Sequence, residues 1–208
     1  MSKKYNHILL HFKTTDPKIH AVMKTLDFDD WLKPYQARSA KGHFQALCRE
    51  IVGQQLSGKA ASSIFKKFTG SFKGKEITPQ KILKKTDQEL RDTGLSWAKV
   101  KYIKSLAENV SSGDLALEKI HKLDDIEVIS QLTKVKGIGN WTAEMFLIFT
   151  LSREDVFSFG DLGLKKGIEK VYGKKSPTVK QMEKITSKWK PYRSFGTIAL
   201  WYSLEMDE

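Results

Sequence analysis

The chain has 208 residues, of which 40% are hydrophobic and 29% charged, a composition typical of a soluble protein with a buried core. No apolar run approaches the roughly 20 residues of a membrane helix, and the N-terminal segment lacks the pattern of a signal peptide. The single cysteine, Cys48, excludes an internal disulfide and favours a reducing compartment. The net charge of +12 favours a polyanion such as nucleic acid or an acidic membrane, although solubility alone also explains it.

Helical patterns run along most of the chain. Apolar residues recur at three- and four-residue steps in residues 44–55 and 97–110, and Ser96 is a candidate cap for the second segment. Capping-box patterns begin further helices at Thr86…Glu89, Asp124…Glu127 and Thr178…Gln181. No stretch alternates like a strand with hairpin chemistry. The sequence therefore predicts an all-α fold of roughly eight to ten short helices, with surface loops around residues 70–79 and 173–177.

A short glycine hairpin carries the first functional signal. Residues 134–139 read Lys-Val-Lys-Gly-Ile-Gly and precede a helix predicted over residues 140–151. Gly137 and Gly139 allow the backbone to approach another molecule closely, and the helix start behind them offers unpaired amides to one DNA phosphate. Lys134 and Lys136 add positive charge without reading bases. Ile138, between the glycines, is predicted to anchor the hairpin in the core, although an ordinary turn between two helices would look the same.

An aspartate follows the hairpin's second helix by a short loop. Residues 156–161 read Val-Phe-Ser-Phe-Gly-Asp, and a further helical pattern passes through Leu164 and Ile168. Asp161 therefore stands at the start of a helix. The segment allows two interpretations of this residue, a plain N-cap or a carboxylate with a chemical role.

Residues 132–166 resemble the helix-hairpin-helix, Gly/Pro-rich loop and aspartate signature of the base-excision DNA glycosylase superfamily. Two further segments are similar to its alkylpurine (3-methyladenine type) glycosylases: residues 51–57, Ile-Val-Gly-Gln-Gln-Leu-Ser, and residues 189–202, with Trp-Lys-Pro-Tyr-Arg-Ser-Phe-Gly and Leu-Trp-Tyr. The resemblance implies one glycosylase domain over residues 1–208, built as a two-lobed helical bundle. Lobe one would span about 41–151 with the hairpin at 132–147, and lobe two about 1–40 plus 152–208.

The resemblance also implies a reaction, the hydrolysis of the N-glycosidic bond of alkylated purines in double-stranded DNA. Asp161 would stabilise the positive charge that develops on the deoxyribose as the base departs. The target nucleotide must be flipped out of the duplex, and Gln55 or Leu56 would fill the gap. In the plain alternative, Gln55 only caps the preceding helix.

Aromatic residues would hold the electron-poor base by stacking and cation–π attraction. The resemblance places Trp141, Trp201 and Met145 in this pocket, and at Met145 some relatives carry a tyrosine. Either tryptophan could instead belong to the core. Glycosylases that also nick the strand have a lysine at the position of Trp141, where tryptophan cannot form a Schiff base, so we expect a monofunctional enzyme.

We expect no cofactor, apart from a monovalent cation that the resemblance places at hairpin carbonyls near Thr133, Val135 and Ile138. One cysteine excludes the four-cysteine iron–sulfur cluster of some relatives, and the five histidines lack the spacing of a zinc site.

We expect a monomer that binds double-stranded DNA with damaged bases and no membrane. It would lie in the cytoplasm with the nucleoid if bacterial, or in the nucleus if eukaryotic. Two alternatives remain open: a glycosylase for other damaged or mismatched bases, and a non-catalytic helix-hairpin-helix module that binds DNA without needing Asp161.

Overall fold

A computed structural model of the protein describes residues 3–32 and 39–206. In these residues it contains thirteen α-helices and no strand, which confirms the predicted all-α class. The chain forms two compact units, Ala37–Leu151, here the hairpin unit, and Met1–Gln36 with Ser152–Glu208, here the terminal unit.

The helices follow one another with short connections. The terminal unit begins with α1 (Asn6–Thr15), α2 (Pro17–Met23) and α3 (Phe28–Leu32). The hairpin unit contains α4 (Ala40–Gly53), α5 (Gly58–Gly70), α6 (Pro79–Leu83), α7 (Asp87–Arg91), α8 (Trp97–Ser112), α9 (Asp125–Leu132) and α10 (Asn140–Met145). The terminal unit resumes with α11 (Leu162–Tyr172), α12 (Val179–Thr186) and α13 (Arg193–Glu205). Single 3-10 turns occur at Lys3–Tyr5, Lys73–Lys75, Ile120–Lys122 and Ser187–Trp189, and a π turn at Phe146–Thr150 continues α10.

The predicted number of eight to ten helices was too low. Helices α3 and α6 have five residues each, too few for an apolar period to be visible in the sequence, and α7, equally short, is indicated only by its capping box. The predicted helix starts were correct: all three capping boxes are formed, and the Ser96 side chain accepts a hydrogen bond from the Lys99 amide. Local side-chain chemistry therefore determines where these helices begin.

The core of the hairpin unit is built around two long helices. On α4, Phe44, Leu47 and Ile51 are buried at helical spacing, and α4 packs against α5 and α8. On the other side, α8 packs against α6 and α7 and buries Val100 and Ile103. The C-terminal end of α4 and the N-terminal end of α8 are consequently held by the same core.

A buried carboxylate ties the terminal unit together. The side chain of Asp16, 1% exposed, accepts hydrogen bonds from the Tyr172 hydroxyl at 2.6 Å and the Trp189 indole at 2.8 Å, and pairs with Lys188 at 3.1 Å. Burial and the hydrogen bond to Asp16 raise the pKa of Tyr172. Buried charges are tolerated when they are paired in this way. The network fixes the end of α11 opposite to Asp161.

None of the helices within residues 3–32 and 39–206 is long and apolar enough to cross a membrane.

Glu50, in the last turn of α4, makes stability depend on pH. Burial raises the pKa of its carboxyl group from 4.5 to about 7, although neighbouring Arg49 opposes the change. The unfolded chain releases this proton at lower pH than the folded chain, so the free energy of unfolding falls as pH rises from 4.5 to about 7. We predict that Glu50→Gln removes this loss and stabilises the protein above pH 7 by at most about 3 kcal/mol.

Denaturant unfolding at pH 5 and pH 8 measures this effect. Glu108→Gln, on the exposed face of α8, serves as the control for the removal of one negative charge. An equal difference between Glu50→Gln and wild type at the two pH values would contradict the prediction.

Candidate functional site

The hairpin, residues 133–139, connects α9 to α10 with alternating burial. Val135 and Ile138 are buried, and the Ile138 amide donates a hydrogen bond to the Val135 carbonyl at 3.0 Å. The prediction that Ile138 anchors the hairpin is confirmed. Lys134 and Lys136 are exposed on either side of Val135. Apolar anchors therefore hold the backbone while both positive charges lie in solvent.

The two hairpin glycines meet different requirements. Gly137 has a φ of +91°, and a Cβ there would lie 2.1 Å from Cγ of Tyr102, so no other residue fits. Gly139 is the N-cap of α10 with φ −97°, and a Cβ there would meet no atom of the described residues within 4 Å. No side chain of the described residues caps the start of α10. The backbone amides there are therefore accessible to an anion.

A loop after α4 is hydrogen-bonded to the hairpin. The Gln54 side-chain amide donates to the Gly137 carbonyl at 2.8 Å and to the Thr142 hydroxyl at 3.3 Å. The Lys99 ammonium donates to the carbonyls of Val52 and Gln54, both at 2.7 Å, and burial lowers the pKa of Lys99. These contacts hold loop, hairpin and α8 in one arrangement.

The residues predicted to fill the DNA gap lie at the exposed part of this loop. Gln55 is exposed with a φ of +58°, an uncommon conformation for a residue other than glycine, and Leu56 is 38% exposed. The C-cap of α4 is Gln54, so the alternative in which Gln55 caps the helix is wrong. Of two adjacent glutamines, one is bound within the protein and the other is presented to solvent.

A cavity of about 460 Å³ lies between these segments of the hairpin unit. The residues that line it are Gln54, Gln55, Ser96, Ala98, Lys99, Tyr102, Gly137, Ile138 and Gly139. The volume is within the range of small-ligand sites. Lys99 and Tyr102 were missed at the sequence level; their spacing of three residues on α8 places them on one helix face but does not indicate what that face meets.

In the terminal unit, Asp161 is the N-cap of α11. One carboxylate oxygen, Oδ1, accepts a hydrogen bond from the Leu164 amide at 2.8 Å and another from the Trp201 indole at 3.4 Å. A Cβ at Gly163 would lie 3.0 Å from Oδ1 and 3.3 Å from the indole, so glycine permits this close approach. The predicted N-cap is confirmed, and it also orients the carboxylate.

Trp31 joins this cluster although the sequence pattern did not indicate it. Its ring is stacked on Trp201 with centroids 6.4 Å apart and an interplanar angle of 7°. Trp31 lies on the five-residue helix α3, far from Trp201 in the chain, and no local pattern connects them. Leu162, next to Asp161, is 75% exposed. The carboxylate thus has the Trp201 indole as a neighbour, and Trp31 stacks on that indole.

The remaining predicted pocket residues lie in the hairpin unit. Trp141, near the start of α10, is 42% exposed, whereas Met145 in the same helix is only 3% exposed. The structure therefore brings Trp201 to Asp161 within one unit and leaves the pocket roles of Trp141 and Met145 as predictions. The burial of Met145 leaves little of its side chain available to a ligand.

Metal-binding groups are sparse in the described part of the chain. Residues 3–32 and 39–206 contain no group of three or more His, Cys, Asp or Glu side chains placed to hold a metal ion. Burial also raises the pKa of the Cys48 thiol. In the hairpin, the carbonyl of Val135 accepts the Ile138 amide and keeps a second lone pair. A monovalent cation at the carbonyls of Thr133, Val135 and Ile138 remains a prediction.

Comparison with known proteins gives consistent matches. A family model described as HhH-GPD superfamily base excision DNA repair protein matches residues 48–191. The chain is 36% identical to DNA-3-methyladenine glycosylase 1 of Schizosaccharomyces pombe over 173 residues, covering 82% of this chain and 75% of that protein. It is 33% identical to the DNA-3-methyladenine glycosylase of Saccharomyces cerevisiae, covering 96% of this chain and 79% of that protein. The structure is similar to that of the S. pombe 3-methyladenine DNA glycosylase in complex with abasic DNA, with a TM-score of 0.83, 29% identity and coverage of 96% and 97% of the two chains.

The contrast between the hairpin glycines is testable by stability alone. We predict that Gly137→Ala lowers the free energy of unfolding by about 1–3 kcal/mol, because it combines a left-handed φ with a clash against Tyr102. Gly139→Ala should cost less than about 1 kcal/mol, since its backbone conformation suits any residue. Urea unfolding of both variants measures the difference, and equal losses would contradict it.

Proposed function

Because the chain belongs to the HhH-GPD superfamily of base excision DNA repair proteins, we propose that it is a monofunctional DNA glycosylase that releases alkylated purines of the 3-methyladenine type from double-stranded DNA. Its relatives in S. pombe and S. cerevisiae are named DNA-3-methyladenine glycosylases, which supports this substrate class. The observation that carries the proposal is the Asp161 carboxylate, held by the start of α11 and the Trp201 indole.

The hairpin binds the DNA backbone. The open helix start at Gly139 receives one phosphate, and exposed Lys134 and Lys136 neutralise nearby negative charge. This contact reads no base, so it acts on damaged and undamaged duplexes alike and weakens as salt rises. A monovalent cation binds at the hairpin carbonyls. The enzyme acts as a monomer in the compartment that holds the genome.

The loop after α4 supports the flipped state. Extruding a nucleotide costs a few kcal/mol, because stacking and pairing are lost. The exposed side chains of Gln55 and Leu56 fill the gap, while Gln54 and Lys99 hold the loop from behind. The left-handed backbone of Gln55 is maintained by these bonds on the preceding residue.

Asp161 then supports the bond cleavage. The bond between C1′ and the purine nitrogen breaks, its electron pair leaves with the base, and positive charge develops on the deoxyribose. Asp161 stabilises this charge, and the oxygen of a water bonds to C1′ while its proton passes to the carboxylate. An alkylated purine carries positive charge and becomes neutral on leaving, so it needs little acid assistance. The face of Trp201 attracts such a base by cation–π interaction.

Asp161→Asn tests the enzyme itself. The amide keeps the size and most of the capping ability of the carboxylate, so the fold should survive. The lost charge should slow single-turnover release of an alkylated purine by roughly 100- to 1,000-fold, by analogy with deletions of charge-stabilising groups. Binding of the same duplex should be at least as tight as in wild type, since one anion near the phosphates is removed.

The matched control is Asp124→Asn, which changes another aspartate N-cap, that of α9. It should lose about as much stability as Asp161→Asn and retain the release rate. If Asp161→Asn released the base within about threefold of wild type, the residue would be only a helix cap. Absence of base release by wild type would instead indicate a DNA-binding module without this activity.

Strand cleavage provides an independent test. Trp141 has no amine that could attack the sugar, so we predict base release that leaves the strand intact. Borohydride added during the reaction should trap no covalent adduct, and strand breaks should appear only after hot alkali cleaves the abasic product. An adduct trapped by borohydride would identify a lysine nucleophile and would make the enzyme bifunctional.

A further inference from the structure

Trp97 is a tryptophan that the fold of the hairpin unit leaves in solvent. It is the first residue of α8 and is 51% exposed, although large aromatic side chains are usually mostly buried. Its neighbours on both sides, Ser96 and Ala98, line the cavity that Gln55 and Gly137 also line. The exposed indole is therefore next to the surface that carries the loop and the hairpin.

A cation holds this ring in place. The guanidinium carbon of Arg91 lies 5.8 Å from the centroid of the Trp97 ring, a cation–π contact. The same guanidinium donates a hydrogen bond to the Leu95 carbonyl at 2.6 Å, and Leu95 is buried. The Arg91 side chain thereby connects the end of α7 to the start of α8 and contacts the indole.

The exposed indole favours a flat, aromatic ligand that belongs to a polyanion. Arg91 at the ring and exposed Lys101, one turn along α8, both attract the negative charge of such a ligand. An indole face binds planar π systems by stacking, and every nucleobase offers such a face. In an intact duplex, however, the faces of the bases are covered by their neighbours. A base face becomes available where a nucleotide has left the stack.

We propose that Trp97 is a stacking platform for a nucleobase that has lost its neighbour at the gap left by the flipped nucleotide. The inference rests on the proposed function, since the gap exists only if a nucleotide is flipped. Gln55 and Leu56 enter the gap, and Trp97 covers a base that the gap exposes. The indole thereby returns part of the stacking energy lost on flipping, which stabilises the flipped complex.

Binding to two duplexes of the same sequence tests the platform. One duplex contains a tetrahydrofuran abasic-site analogue and the other is undamaged. Trp97→Ala should weaken binding of the abasic duplex by roughly 5- to 100-fold, the range of one lost base–aromatic stack, and change binding of the undamaged duplex by less than about threefold. Trp97→Phe should retain most of the affinity, because a smaller aromatic face remains.

Val179→Ala is the matched control. Val179 is also the first residue of a helix, follows a side-chain cap, and is 50% exposed, but it belongs to the terminal unit. It should bind both duplexes as wild type does. Thermal unfolding of each variant confirms that the fold is kept, which the exposure of Trp97 leads us to expect.

A direct readout of stacking uses 2-aminopurine placed opposite the abasic-site analogue. Its fluorescence should fall when wild type or Trp97→Phe binds, and fall less with Trp97→Ala. Equal weakening of both duplexes by Trp97→Ala, or unchanged affinity and quenching, would overturn the platform. Base release by wild type is measured separately. If wild type releases base but Trp97→Ala binds the abasic duplex as wild type does, only the platform is refuted. If wild type releases no base but Trp97→Ala weakens binding of the abasic duplex alone, only the glycosylase activity is refuted.

Discussion

The backbone of Gly137 lies against the ring of Tyr102, and its carbonyl accepts a hydrogen bond from the side chain of Gln54. This one residue therefore joins the hairpin to α8 on one side and to the loop after α4 on the other. A side chain at position 137 would separate the hairpin from α8, and with it the phosphate site from the loop that presents Gln55. The geometry that binds DNA in the proposed function depends on this close backbone approach.

In the proposed function, a structural and a chemical role belong to the same carboxylate, that of Asp161. As an N-cap it is held by the Leu164 amide, and the Trp201 indole donates to the same oxygen. A group that is already oriented needs no rearrangement when charge develops beside it, which is the basis of electrostatic preorganisation. Gly163 makes room for this arrangement, and the buried network of Asp16 holds the far end of α11. Stability and proposed chemistry thus rely on the same contacts.

Neighbouring residues of the hairpin unit also differ in what their side chains contact. Gln54 is hydrogen-bonded to the hairpin, and Gln55 is exposed in a left-handed conformation. At the start of α8, Ser96 caps the helix while the next residue, Trp97, is left in solvent. In both pairs one side chain makes the bond that fixes the backbone, and the adjacent side chain is exposed to solvent.

Much of the secondary structure of this protein is determined by interactions between residues that are close in sequence. The all-α class, the capping boxes at Thr86, Asp124 and Thr178, and the N-cap at Asp161 follow from the spacing of a few neighbouring residues, because helix period and capping are local interactions. Of the five-residue helices, α7 was predicted by its capping box, whereas α3 and α6 were missed because so short a segment shows no period. The partners of Tyr102, Lys99 and Trp31 were decided only by the tertiary structure, since each of these side chains contacts an element distant in sequence. For the same reason, only the folded chain distinguishes Gln54 from Gln55. Their side chains are identical and adjacent in sequence, but the fold brings different groups next to them.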